Sequence, residues 1–301
     1  MGRCAKESNR KFALSPPKPV FIVGNKRSGS TLLVNMLNEH PDVCITHESD
    51  IIWTLYQCRH GMPERFRSFE LDASRGMDAL LASFGAMIGE LLPATPSPAQ
   101  LTKAFFELQR RVIEQGTAVH VPLKTAKGLK WIGDKKPVQH ASPEIRAFIL
   151  SHFPDVRFVH IVRHPAAVVA SQQESARTWP VTPPYWHGRA EEVLERWRLQ
   201  EEWVLALKAS LPQRTHTIRL EDLCNRPAEF MGELFAFLDL EMCNELRGRM
   251  LQYVYARPNE KYTGFVLPQV EGVKRIMDIY GYSAGDLGCI PSVDSPSSSP
   301  T

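Results

Sequence analysis

The segment Gly24-Asn25-Lys26-Arg27-Ser28-Gly29-Ser30-Thr31 constrains this chain more than any other. It follows the apolar run Val20 to Val23, which reads as a buried strand. It precedes Leu32, Leu33, Met36 and Leu37, whose spacing is helical until His40-Pro41 ends the pattern. Strand, glycine-bounded loop and helix in that order make an anion site, because the first-turn N–H groups of a helix have no partner within it and its dipole is positive at that end. The spacing therefore predicts that residues 26–31 surround a phosphate-like group.

The rest of the chain supplies a sheet for that loop. Val43 to Thr46, Trp131 to Gly133, Arg157 to Val162 and His216 to Leu220 read as further strands. Met77 to Leu92, Pro98 to Glu114, Glu191 to Ala209, Ala228 to Leu238 and Pro268 to Tyr280 read as helices. Short apolar runs alternating with helices predict βαβ units and an α/β fold: three layers, with a central parallel β-sheet flanked by helices. Residues 1–18 read as a flexible leader, 19–288 as a single domain, and 289–301 as a disordered Ser/Pro-rich tail.

A net charge of +3, from 36 Lys and Arg against 33 Asp and Glu, argues against nucleic acid as a partner. No apolar run reaches membrane-spanning length and no secretory signal opens the chain, which gives a cytoplasmic expectation. Six cysteines without CxxC spacing point to neither a disulfide scaffold nor zinc, and no metal is expected; His47-Glu48 does not extend to HExxH because position 51 is isoleucine. Oligomeric state has no signature in the sequence.

Compared with the P-loop pattern GxxxxGK[ST], both glycines and Thr31 are present, but Ser30 stands at the lysine position. The loop is thus poorly matched to a nucleoside triphosphate with magnesium, and Lys26 and Arg27 supply cations from within it. The run Arg27 to Leu32 resembles the 5′-phosphosulfate loop of sulfotransferases that use 3′-phosphoadenosine 5′-phosphosulfate (PAPS), in a P-loop NTPase-like fold. Arg163-His164-Pro165, followed by Ser171, resembles the family's 3′-phosphate motif, so that Arg163 and Ser171 would hold the second phosphate.

From Arg27 to Glu48 the chain resembles tyrosylprotein and bacterial-type sulfotransferases without a gap, and their catalytic glutamate falls on Glu48, with His47 beside it as the other candidate base. Those enzymes carry a basic residue two positions on, where Asp50 stands here, so an acidic peptide would meet like charge. Asp134-Lys135-Lys136-Pro137 resembles the family's Asp-Lys-x-Pro motif, which would make Lys135, with Arg27, the stabiliser of the transferring group. Arg257 and Lys261 fall where a late loop of the family closes over the nucleotide.

The resemblance implies sulfuryl transfer from PAPS to a hydroxyl or amine of a small-molecule, carbohydrate or peptide acceptor. The alternatives are a P-loop kinase or nucleotide-binding protein, or a non-catalytic binding protein of the same fold. Residues 51–130, with Trp53, Tyr56, Phe84, Phe105 and Phe106, are expected on the acceptor side, with helical core as the other reading of each ring.

Overall fold

The computed structural model describes residues 16–60, 88, 90–115, 128–178, 188–254, 258–283 and 286. Five strands form one sheet: β1 (Lys18–Gly24), β2 (Val43–His47), β3 (Trp131–Lys135), β4 (Arg157–Val162) and β5 (Thr215–Arg219). Their order is β2-β3-β1-β4-β5, and every neighbouring pair is parallel. All five expected strands are present.

Two boundaries differ in a way that matters. β3 continues through Asp134 and Lys135, because Phe21 and Ile22 of β1 and Thr46 and His47 of β2 stay in register with them. Lys18, expected in the leader, belongs to β1, where its N–H donates to the Lys130 carbonyl at 2.8 Å.

The order of connections places a crevice above β1. The chain runs from β1 out to β2, returns to β3 between them, then passes to β4 on the far side of β1. Loops leaving the two sides diverge there, the usual ligand position in open parallel sheets.

Alternation along β1 divides its side chains between two faces. Val20 and Ile22 join Val43, Ile45, Val159 and Ile161 beneath α1 (Ser30–Asn38). Leu223, Leu234 and Leu246 lie in the same cluster, from three later helices. Phe21 and Val23 face Trp53, Phe105, Ala141, Ile145 and Phe148 of four helices: α2 (Ile51–His60), α3 (Pro98–Gln115), α4 (Pro137–Ala141) and α5 (Pro143–His152), the last contributing both Ile145 and Phe148. Full burial of each large side chain contributes about 1.5–3 kcal/mol relative to exposure. α1 is only nine residues long and would be marginal alone, so packing holds it in place.

Later α-helices among the described residues are α6 (Pro165–Thr178), α7 (Ala190–Ser210), α8 (Leu220–Asn225), α9 (Pro227–Phe237), α10 (Asn244–Met250) and α11 (Val273–Ile279). Pro137, Pro143, Pro165 and Pro227 each stand first in a helix, where the missing N–H costs nothing. The helix expected from Pro268 begins only at Val273, because Gly272 has φ +79° and cannot lie within a right-handed helix. The helix expected over Met77 to Leu92 lies mostly outside the described residues, as does Phe84.

Several aromatic assignments are decided by burial. Trp53 and Phe105 are core, with Tyr56 and Phe106 packed against them, so these rings fill the layer between helices and sheet. Trp197 of the long helix Ala190–Ser210 is fully buried as well. On α9 the helical phase buries Leu234 and Phe235 and leaves Phe237 only partly covered. Among the described residues no helix is long and apolar enough to cross a membrane.

Candidate functional site

The glycine loop is held in shape by close contacts. Gly24 has φ +141°, and a Cβ there would lie 2.3 Å from the Ile161 carbonyl oxygen. Gly29, the N-cap of α1, has φ +86°, and a Cβ would lie 2.6 Å from Leu220. Arg27, between them, takes φ +68° although it is not glycine. No side chain caps α1 and no acidic residue occupies its first turn, so its N-terminal N–H groups have no side-chain acceptor. Ser28 is fully buried, and its Oγ has no hydrogen-bond partner among the described residues. A buried hydroxyl beside uncapped N–H groups fits an oxyanion such as a 5′-phosphate.

At the ends of β2 and β3 the chain assembles a second group. Lys135 Nζ donates to Glu48 Oε1 at 2.7 Å, and the Glu48 N–H donates to the Lys135 carbonyl at 3.0 Å. The lysine side chain is 6% exposed and the glutamate 61%, so the pair sits at the floor of an open crevice. Burial pushes the Glu48 carboxyl upward, but Lys135, with Lys136 and Lys26 behind it, outweighs this and holds it below its ordinary value.

Among the described residues, three of the four non-glycine residues with positive φ are Arg27, Glu48 and Asp50, all in this crevice. Such backbone persists where the surroundings over-determine it. Asp50 is buried and ion-paired with Lys136. It therefore presents no exposed negative charge, and the repulsion of acidic peptides expected from the sequence has no source there.

Beneath this pair, Asp134 is fully buried, and its Oδ1 accepts from Thr46 Oγ1 at 2.8 Å and from the Ser49 N–H at 3.1 Å. Burial pushes its carboxyl up to about 6, while burial pushes His140, 3.6 Å from Asp134 Oδ2, down to about 3. His47, the last residue of β2, is buried beside these groups, opposite Lys135 in the sheet register.

His164 is likewise pushed down to about 4 by burial. Two histidines held neutral lose stability to protonation of the unfolded chain as pH falls below about 6.5, whereas Asp134 works in the opposite sense between about 4 and 6. The two histidines outnumber it, so the unfolding midpoint is expected to fall between pH 7 and pH 5. His164→Asn, which keeps an acceptor for the Ala166 N–H, should flatten that slope. A thermal melt series across this range checks both.

The third group lies beyond β4. Arg163 is buried and donates through Nε to Asn259 Oδ1 (2.8 Å), through Nη1 to the Arg27 carbonyl (2.9 Å) and through Nη2 to the Pro258 carbonyl (2.7 Å). A guanidinium carries five N–H groups, so two on the η nitrogens remain for a ligand. Arg27 Nε donates to Ser171 Oγ at 3.1 Å, which joins the glycine loop to α6. Arg27, Arg163 and Ser171, 144 residues apart at the extremes, thus form one cationic corner.

Lys26 is close enough to Glu48 and Lys136 to act on both electrostatically. Lys261, expected on the late loop, lies next to Tyr262. Its Nζ donates to Glu174 on α6 at 2.6 Å, and it is Asn259 and the ring of Tyr262 that meet Arg163. A cavity of about 370 Å³ opens there between α6 and Tyr262 and Phe265. Arg257 lies outside the described residues.

Sequence reasoning missed Asn259, Glu221 and Glu201. Their only local signals were a Pro-Asn pair and the acidic pairs Glu201-Glu202 and Glu221-Asp222 in helical segments, and neither says what they touch.

The profile of the sulfotransferase family matches residues 19–244. No curated protein matches the chain at a significant level. Among solved structures, the sulfotransferase domain of the Synechococcus PCC 7002 olefin synthase superposes with a TM-score of 0.60 at 19% identity, covering 91% of this chain and 98% of that one. The sulfotransferase domain from the curacin biosynthetic pathway superposes with a TM-score of 0.56, also at 19% identity, covering 89% and 98%. These likenesses bear on the fold, a five-stranded parallel sheet between helical layers, and the match across three quarters of the sequence shows that the chain belongs to the sulfotransferase family.

Proposed function

We propose that the protein is a PAPS-dependent sulfotransferase acting on a hydroxyl or amine acceptor. The observation that carries this reading is the convergence, at the C-terminal ends of the strands, of an uncapped helix N-terminus with a buried Ser28 hydroxyl that has no hydrogen-bond partner among the described residues, the Lys135–Glu48 pair, and the Arg27–Ser171–Arg163 corner. Two separate anion sites flanking a base suit a nucleotide with phosphate on both its 5′ and 3′ sides.

PAPS supplies the sulfuryl group: the acceptor oxygen or nitrogen bonds sulfur as the bond from sulfur to the 5′-phosphate oxygen breaks, and the electron pair leaves on that oxygen. Ser28, Ser30 and Thr31, with the Gly29-capped helix end, bind the 5′-phosphate side. Arg163 and Ser171 bind the 3′-phosphate, and the cavity beside Tyr262 borders the nucleoside. Glu48 takes the acceptor proton. Lys135, Lys26 and Arg27 offset the charge that gathers on the leaving oxygen, an effect strongest in a crevice that limits water.

In the free protein Lys135 holds the Glu48 carboxylate in an ion pair. An anion beside Lys135 competes for that ammonium and leaves the carboxylate more basic when the acceptor arrives.

Titration calorimetry tests the reading. Adenosine 3′,5′-bisphosphate is expected to bind without magnesium and more tightly than ATP. Binding of ATP with magnesium but not of the bisphosphate would instead support a kinase or nucleotide hydrolase.

A further inference from the structure

Two buried carboxylates lie under the donor crevice without any part in proton or group transfer. Glu201 of α7 is fully buried; its Oε1 accepts from Asn25 Nδ2 at 2.6 Å, and its Oε2 accepts from the Tyr280 hydroxyl at 2.8 Å. His160 Nε2 of β4 lies 3.1 Å from the same Oε2. Asn25 is the second residue of the glycine loop.

Glu221 of α8 is 4% exposed; its Oε1 accepts from Asn259 Nδ2 at 2.6 Å and from the His164 N–H at 2.9 Å, and its Oε2 accepts from the Tyr282 hydroxyl at 3.1 Å. Asn259 passes this on through Oδ1 to Arg163 Nε at 2.8 Å.

The two arrangements have the same parts. A glutamate accepts from a tyrosine on one side and from an asparagine on the other, and each asparagine belongs to a different anion site. The tyrosines are neighbours across Gly281, whose φ of +68° turns the chain so that the two rings reach different carboxylates. A buried carboxylate is costly unless its lone pairs are filled, so each arrangement holds together as a unit or not at all.

We infer that Glu201 and Glu221 are positioning residues that set the two ends of the donor site independently, Glu201 through Asn25 for the 5′ side and Glu221 through Asn259 and Arg163 for the 3′-phosphate. The Tyr280-Gly281-Tyr282 segment latches both to the C-terminal part of the chain. The inference rests on the donor reading given above.

The test is competitive binding of adenosine 3′,5′-bisphosphate and 5′-AMP to the full chain, with a thermal melt of each variant. Glu221→Gln removes the carboxylate charge that holds Asn259 against Arg163 and leaves one neutral carbonyl oxygen to accept from Asn259 Nδ2 and the His164 N–H. It is expected to weaken the bisphosphate about tenfold or more while leaving 5′-AMP within about twofold. Glu201→Gln is expected to weaken both ligands by a similar factor and leave their ratio unchanged. Tyr282→Phe and Tyr280→Phe should reproduce the two patterns in milder form, and they carry the test if a glutamine variant does not fold.

A purely structural role would lower the melting midpoint without changing the ligand ratio, and such a result for Glu221→Gln and Tyr282→Phe overturns the inference. Unchanged affinities in all four variants overturn it equally. If the unaltered protein binds neither ligand, the donor reading itself fails and takes the inference with it.

Discussion

Glu48→Gln is expected to lower kcat by about 10²–10⁴, the range that a positioned general base contributes, with little change in the affinity for adenosine 3′,5′-bisphosphate. The substitution keeps the size of the side chain and its carbonyl oxygen, so Lys135 Nζ retains an acceptor where it now meets Oε1 at 2.7 Å. What disappears is the capacity to accept a proton. His47 is the competing base, and it is buried at the end of β2, whereas the Glu48 side chain is 61% exposed in the crevice. His47→Asn should therefore leave kcat within an order of magnitude.

The pH profile separates the two bases without mutation. Glu48 is held below its ordinary carboxyl value by Lys135, so kcat/KM governed by it rises with pH only below about 4.3 and is flat on its account above pH 5.5. A base with an ordinary histidine value would put the rise near 6.5. An acid limb near 6.5 that Glu48→Gln leaves in place would transfer the role away from Glu48.

The second large effect concerns the sheet. Gly133→Ala is expected to destabilise the protein by about 3 kcal/mol or more, at the upper end of overpacking costs, and to lower the unfolding midpoint by about 6 °C or more. A Cβ on Gly133 would stand 1.7 Å from the Val20 carbonyl oxygen and 2.8 Å from its carbon. Both atoms are backbone of the strand paired with β3, so no side chain can swing aside and the strands themselves must part. Asp134 and Lys135 follow immediately, so the surviving folded fraction should also lose donor affinity. Gly248→Ala on α10 meets nothing within 4 Å and serves as the control, with a neutral or slightly raised midpoint. Thermal melts of the two variants side by side decide the matter.

Legibility in the sequence followed the range of the interaction. The five strands, the Gly24–Thr31 loop and the Asp-Lys-x-Pro run are local patterns and are found at the expected places, whereas the helix expected from Pro268 starts only at Val273. Glu48 and Lys135 were legible as separate members of two motifs. Their ion pair was not, because 87 residues lie between them and only the adjacency of β2 and β3 brings them together.

Asp50 shows the reverse error. Its charge was visible, but Lys136 neutralises it in the interior, and burial cannot be read from a residue type. The rings of Trp53 and Phe105 were ambiguous between acceptor wall and core, because helical spacing shows that a face is apolar and not what it faces.

By itself the sequence determined the α/β class, the parallel strands and the strand–glycine loop–helix order at residues 20–38, since these follow from the backbone periods of strand and helix. Only the tertiary structure decided which side chains share the crevice. The order β2-β3-β1-β4-β5 sets Glu48 beside Lys135, turns Arg27 toward Ser171, and brings Asn259 to Arg163. The physical reason is that strand order is settled by which apolar faces can be covered together. The polar groups at the strand ends then meet whatever that order places next to them.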